Sequence, residues 1–341
     1  MLRHGNRMES QWEKEWSMSL RTPQDLATAG IIASSQIADF EKVLGRYQLA
    51  IPRYYAELID RKNPRCPIRL QAIPSLEELT ERDSESEDPL QDLLHRPAPL
   101  VTRRYNDRVL IHPTSNCSMY CRYCFRKTLL NELKVDLFGG SLKQAIDYVG
   151  AEPEIREVIF SGGDPFMLPD RTIADTLERL GDFPHVKRIR FHTRVPVTFP
   201  MRVTPILTQA LSRARTPVIV VTHFNHPKEI TRGSRSACRL LREGGALLLN
   251  QSVLLRGVND CENTLRELSE LLFSERILPY YLHHPDASKG TAHFSVSIEE
   301  GLAIYRKLKA STAGYLVPRY VIDTVVDPYK LSVEEYAGGF K

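Results

Sequence analysis

Three cysteines, Cys117, Cys121 and Cys124, fall within eight residues of one another, while Cys66, Cys238 and Cys261 stand apart. A chain of 341 residues buries enough apolar surface to fold without cross-links, and a reducing compartment would not keep them. Clustered thiols therefore point to metal or redox work. At a spacing of four and then three, the thiolates can grip one face of a cubane. A [4Fe–4S] cluster normally takes four cysteines, so three leave one iron without a protein ligand. An open metal position is what chemistry on a bound molecule requires. The competing reading is a zinc site completed by Cys261 or a histidine; zinc motifs usually come as two cysteine pairs, and a second pair is missing.

Other side chains have chemistry to offer. Ser161-Gly162-Gly163-Asp164 follows a strand-like run, although a glycine pair alone signals only a turn. Lys330 comes shortly after a strand-like run that ends at Asp323. A lysine amine can hold an aldehyde cofactor as a Schiff base, but any surface lysine reads the same in isolation. Asp286 and Asp323 lie just beyond strand-like runs, where two carboxylates could face one cation in a dry site or merely cap turns. Arg126, two residues past Cys124, has the fork that suits a carboxylate. Arg108 opens a strand-like run, and Gln251 lies within another.

These residues need elements to carry them. Apolar or β-branched runs begin near 109, 157, 188, 218, 246 and 277, after the first interval at about 30-residue spacing, with amphipathic stretches such as RTIADTLERL and ENTLRELSELLF between them. Ser141-x-x-Gln144 and Ser297-x-x-Glu300 fit capping boxes. Alternating strand and helix predict an α/β fold, a partial (β/α) TIM-like barrel in preference to a doubly wound open sheet. Either would gather the catalytic groups at strand C-termini, where His112, Ser161 to Asp164, His192, His223, Asn250, Gln251, His283 and His284 fall. The organisation expected is a helical segment over 1–100, with helical spacing at Asp25 to Leu44 and Pro52 to Asp60, a barrel over 101–325 and a C-terminal segment over 326–341. The acidic run at 77–92 reads as a solvated helix end or loop. A net charge of +4 argues for no nucleic-acid partner. The absence of a long apolar run and of a signal-like start predicts no membrane span and a cytoplasmic protein.

The CxxxCxxC spacing, with Tyr123 before the last cysteine, resembles the radical S-adenosylmethionine superfamily. The wider stretch DRVLIHPTSNCSMYCRYCFRK is similar to its lysine 2,3-aminomutase branch, over about residues 88 to 331. Length and N-terminal region resemble the members that supply β-lysine for modification of elongation factor P. The resemblance implies that Cys117, Cys121 and Cys124 bind a [4Fe–4S] cluster whose free iron takes S-adenosyl-L-methionine, whose amino group the Ser161, Gly162, Gly163, Asp164 strip contacts. It implies that Lys330, seven residues after Asp323, carries pyridoxal 5'-phosphate, although VVDPY precedes it here where relatives often have glycines. Arg126 would clamp the substrate carboxylate, Asp286 and Asp323 its distal ammonium, and Arg108 and Gln251 would lie near the coenzyme. The implied activity is isomerisation of L-lysine to β-lysine, an isomerase reaction fed electrons by a reductant such as flavodoxin or ferredoxin, with a functional link to elongation factor P and its lysine ligase. Glutamate or alanine as substrate, and a non-catalytic zinc module, are the alternatives. The cysteines that bridge zinc between subunits near the C-terminus of longer relatives have no counterpart after Cys261, so a monomer or dimer is expected.

Overall fold

The computed structural model describes residues 10–131, 141–327 and 329–339. The chain's first nine residues, on which the absence of a signal segment partly rested, lie outside them, as does Pro328 of the VVDPY stretch. Each expected apolar run forms a strand. The parallel strands are β2 (Arg108–Ile111), β3 (Glu157–Phe160), β4 (Arg188–His192), β5 (Val218–Thr222), β6 (Leu247–Val253), β7 (Leu278–His283) and β8 (Arg319–Ile322). Their spatial order is their chain order. A doubly wound sheet would reverse direction at a switch point; this one winds one way, as a barrel does. Among the described residues the ring is not closed. Antiparallel β1 (Val101–Thr102) pairs with β2 and antiparallel β9 (Leu331–Ser332) with β8, so the two ends of the sheet do not pair with each other. Arg104 Nη2 nevertheless reaches from the β1–β2 turn to the Thr324 carbonyl beyond β8, at 2.6 Å.

Helices lie on the outer face because each carries one apolar stripe. Asp170–Gly181 buries Ile173, Leu177 and Leu180, spaced along one side. Both expected capping boxes are present: Ser141 opens Leu142–Ala151 and Ser297 opens Ile298–Ser311, satisfying N–H groups that have no helical partner. The helices meet the sheet through Val158, Phe160, Ile189, Phe191 and Val220, and Phe160 stacks on Phe191 at 5.0 Å between ring centroids. Alternation along the strands leaves Arg108, Glu157, Arg188, Arg190, His192 and Gln251 on the concave face. A register shift at Asn250/Gln251 puts an extra residue, Tyr280, into β7, so that Tyr281 pairs with Gln251 and His283 with Val253. Such a bulge re-aims every side chain after it, and here it turns Tyr281 and His283 inward.

Over residues 10–100 the regular structure is helical, in short pieces. Asp25 to Leu44 is not one helix: Pro23–Thr28 ends before Gly30, whose φ of +66° takes the left-handed turn that closes a helix, and Ile37–Leu44 follows. Arg53–Glu57 and Pro67–Ala72 complete the set. Leu26, Ile51, Tyr55 and Ile68 are fully buried in the same apolar core as the strand residues.

The acidic run at 77–92 is exposed over most of its length, as expected of a solvated segment, but near its two ends Glu78 and Asp92 are buried. Glu78 is fully buried, accepting from Arg122 Nε at 2.9 Å, from Arg122 Nη2, and from Lys127 Nζ at 2.8 Å. Asp92, 3% exposed, accepts from Arg126 Nε at 2.8 Å. Burial alone would raise both carboxyls, but the paired cations outweigh it and hold them below the usual carboxylate range. Truncating Glu78 leaves two buried cations uncompensated, a loss of about 3–5 kcal/mol for a broken buried pair. Glu78→Ala is therefore expected to lower the unfolding free energy in urea at pH 7 by that amount, against less than about 0.5 kcal/mol for the exposed Glu77→Ala; equal effects would contradict the burial.

Candidate active site

The three clustered cysteines occupy the loop after β2, at the strand C-termini. Cys124 N–H donates to the Cys121 carbonyl at 3.2 Å, which closes a tight turn between the two cysteines. The glycine strip after β3 backs this loop. Gly163 N–H donates to the Thr114 carbonyl and Asp164 N–H to the Asn116 carbonyl, both at 2.8 Å. A Cβ on Gly163 would stand 2.4 Å from the Asn116 carbonyl oxygen, so only glycine permits the approach. Asp164 is buried, and its carboxylate is occupied by the Thr193 hydroxyl (2.6 Å) and by the backbone N–H groups of Phe166 (3.0 Å), Arg194 (2.7 Å) and Val195 (3.1 Å). The strip thus joins the cysteine loop to the segment after β4.

Burial, then the neighbouring thiol of Cys121, pushes the Cys124 thiol up to about 11; Cys117 is raised for the same first reason. The buried Cys117 and Cys124 thiols stay protonated until a cation joins them, and iron would supply that charge. Arg194 Nη1 already donates to Cys121 Sγ at 2.9 Å, a contact suited to thiolate sulfur. Among the described residues no three His, Cys, Asp or Glu side chains converge on one point. The donor set fits a cubane held by three thiolates.

A second group of residues gathers around the ends of β7 and β8. Lys330, in the turn before β9, is ion-paired to Asp323 Oδ2, and His283 Nδ1 lies 3.8 Å from the same oxygen. Burial would lift Asp323, but Lys330, then His283 and Arg104, hold it below the usual range. Asp286 follows β7, in the loop whose Ser288 donates to the Phe125 carbonyl at 2.8 Å and whose Gly290 carbonyl accepts from Lys127 at 3.0 Å. That loop is therefore tied directly to the cysteine motif. Ser86 of the acidic run pairs with it from the other side, donating to the Ala287 carbonyl at 2.9 Å. Burial first, and then repulsion by Asp323, push the Asp286 carboxyl up to about 7.

Arg126 presents Nε and Nη2 to Asp92 at 2.8 Å and its remaining Nη1 towards Ser161 Oγ at 3.4 Å, so one corner of the fork is left towards the site. Arg108 lies at the opposite end of β2 from the cysteines, its guanidinium 4.2 Å from the Tyr105 ring centroid and beside Asp107. Gln251 shares the concave face with its register partner Tyr281. His192 and His283 each bury an Nε2 with no hydrogen-bond partner. Burial, followed by the Lys330 charge for His283 and by Arg190 and Lys330 for His192, keeps both imidazoles neutral, His283 down to about 3. Two unpartnered buried nitrogens beside a lysine amine fit a site shaped for a polar, partly aromatic group such as pyridoxal phosphate. Other strand-end polar residues are structural: His112 meets the Thr102 hydroxyl at 2.9 Å, Asn250 accepts from Phe224 N–H at 2.8 Å, and His284 meets the Tyr320 hydroxyl at 2.7 Å.

Sequence reasoning missed Glu78, Asp92, Arg194 and Glu229. The signal that could have found the first two is the cation cluster in CRYCFRK, where Arg122, Arg126 and Lys127 need buried counter-charges. Arg194 sits two residues past the strand-end His192, within the zone where functional groups collect.

The model of the radical SAM superfamily matches residues 111–268. An L-lysine 2,3-aminomutase of Acetoanaerobium sticklandii is 39% identical over 92% of this chain and 75% of its own length. One from Haemophilus influenzae is 39% identical over 86% of this chain and 87% of its own. A glutamate 2,3-aminomutase of Clostridioides difficile is 36% identical over 93% and 76%. No helix among the described residues is long and apolar enough to cross a membrane.

Burying the Asp286 carboxyl beside Asp323 has a measurable cost. A carboxyl raised from 3.8 to about 7 destabilises the fold only where it is ionised: the penalty is absent below pH 3.8, grows through the interval, and is complete above pH 7. Asp286→Asn should therefore stabilise the cofactor-free protein by on the order of 4 kcal/mol at pH 8 and leave it unchanged near pH 4, read by chemical denaturation at both values. A gain that is the same at both would contradict the raised carboxyl.

Proposed function

We propose that this chain, which belongs to the lysine 2,3-aminomutase family of radical S-adenosylmethionine enzymes and is an aminomutase, moves the α-amino group of L-lysine to the β-carbon. Its superfamily brings a [4Fe–4S] cluster and S-adenosylmethionine, and its branch brings pyridoxal phosphate. Bound, the nucleotide and cluster supply a carbon radical that takes and returns hydrogen, while the coenzyme's π-system spreads unpaired spin as nitrogen migrates.

The observation that carries the choice of lysine is the arrangement of Asp286, Asp323 and Lys330. Lys330 is ion-paired with Asp323, and Asp286 is close enough to feel the charge of both. When that amine is committed to the coenzyme, the cation leaves and the carboxylates face each other without a partner. An ammonium at the far end of a substrate restores the balance; a substrate ending in a carboxylate would add a third negative charge. The reading therefore favours lysine over glutamate, although a glutamate-specific relative is comparably similar. The free corner of Arg126 orients the substrate carboxylate on the cysteine side of the site, and Asp286 and Asp323 fix the opposite end. The three cysteines hold the cluster, and the backbone of the Ser161 to Asp164 strip lies beside it for contact with the nucleotide's amino group. Arg108 and Gln251 lie on the same concave face for contact with the coenzyme. Neutral His192 and His283 line the site without adding charge.

We further read the product as β-lysine destined for elongation factor P through a separate ligase, with a flavodoxin or ferredoxin as electron source, in the cytoplasm. What supports this is the likeness of the N-terminal region to the family members that serve that modification.

Anaerobic reconstitution with iron, sulfide, pyridoxal phosphate, S-adenosylmethionine and a reductant should yield protein that converts L-lysine to β-lysine on amino-acid analysis. Lys330→Ala should abolish turnover and the visible coenzyme absorbance while keeping iron, and Cys121→Ala should lose iron while keeping the coenzyme. Turnover of glutamate without lysine would overturn the substrate reading.

A further inference from the structure

Arg194 is a buried guanidinium with each nitrogen engaged. Nη1 donates to Cys121 Sγ at 2.9 Å. Nη2 donates to Glu229 Oε1 at 2.6 Å, to Gln71 Oε1 at 2.6 Å and towards the Tyr55 hydroxyl at 3.2 Å; Nε donates to the His223 carbonyl at 3.3 Å. Its backbone is pinned by Asp164, and its guanidinium lies 5.3 Å from the Tyr123 ring centroid and 5.5 Å from that of Tyr55. A group fixed by strand end, helical segment and cysteine loop at once cannot swing away. It places one N–H and one positive charge on a single thiol of the three, with Glu229 balancing that charge from the far side.

We infer that Arg194 is a positioning residue for the cluster, giving the Cys121 thiolate a charge-assisted N–H···S bond that raises the cluster's reduction potential, and that Glu229 limits the size of that effect. The inference rests on the family reading of the three cysteines. Hydrogen bonds and net charge around the sulfurs set the potential of such clusters, and the polarity of each contribution follows from electrostatics. A donor and a positive charge favour the reduced, more negative cluster; a carboxylate nearby opposes it. The two residues thus act with opposite sign on one quantity, which a purely structural ion pair would not do.

The test is an EPR-monitored redox titration of the reconstituted full-length protein, with iron content measured alongside. Arg194→Gln should lower the ratio of reduced to oxidised cluster at fixed potential about tenfold, equal to about 59 mV for one electron. Arg194→Lys, which keeps the charge but cannot serve both sides, should fall between it and the native protein. Glu229→Gln should shift the midpoint the other way. If Arg194→Gln fails to retain iron, the Lys and Glu229 variants decide. Midpoints that stay at the native value, or that move in the same direction for both residues, overturn the inference. Native protein that takes up no cluster at all would instead defeat the family reading on which it rests.

Discussion

Cations crowded beside the cysteines meet carboxylates contributed from distant parts of the chain. Arg122 and Lys127 converge on Glu78, Arg126 on Asp92, and Arg194 on Glu229. Each of these carboxylates is 3% exposed or less. Buried pairs of this kind add little net stability compared with apolar packing, but breaking one is costly, so they select a single arrangement of the parts they join. Here those parts are the cysteine loop, the acidic run of the N-terminal segment and the segments after β4 and β5. A loop that must present three thiols in fixed geometry has little regular structure of its own, and these pairs supply its rigidity.

The same contacts couple the two halves of the site. Lys127, which serves Glu78, also donates to Gly290, and Ser288 donates to Phe125. The loop that carries Asp286 is thereby fastened to the cysteine motif, while Asp323 and Lys330 belong to the far end of the sheet. Arg104 joins that end to the start of the sheet through Thr324. An open sheet can then hold the cysteine and lysine groups at a set separation, which a reaction between a radical source and a second cofactor demands.

The strands were legible because their β-branched runs recur with a regular interval and each ends in polar residues, and β2 to β7 begin within a residue of the expected positions. The spacing of the cysteines pointed to a metal centre with zinc as the competing reading, and the resemblance to a family chose the iron–sulfur cluster. Lys330, Asp286 and Asp323 were not legible: their residue types are common, and only resemblance to a family singled them out. The acidic run misled at Glu78 and Asp92 because charge density reads as solvation, while the partners that bury them lie more than thirty residues on. The break at Gly30 was hidden within a continuous apolar periodicity. The β7 bulge, which decides that His283 rather than His284 faces Asp323, is a property of register between strands, and one strand's sequence does not contain it.

At the centre of the account is a cluster gripped by three thiolates, with one iron left for S-adenosylmethionine. Mössbauer spectroscopy of the reconstituted protein, before and after that nucleotide is added, tests it most directly. The account predicts that one iron site of the four changes its isomer shift when the nucleotide binds, as nitrogen and oxygen ligands reach it. Four equivalent, thiolate-bound irons that ignore the nucleotide would contradict it.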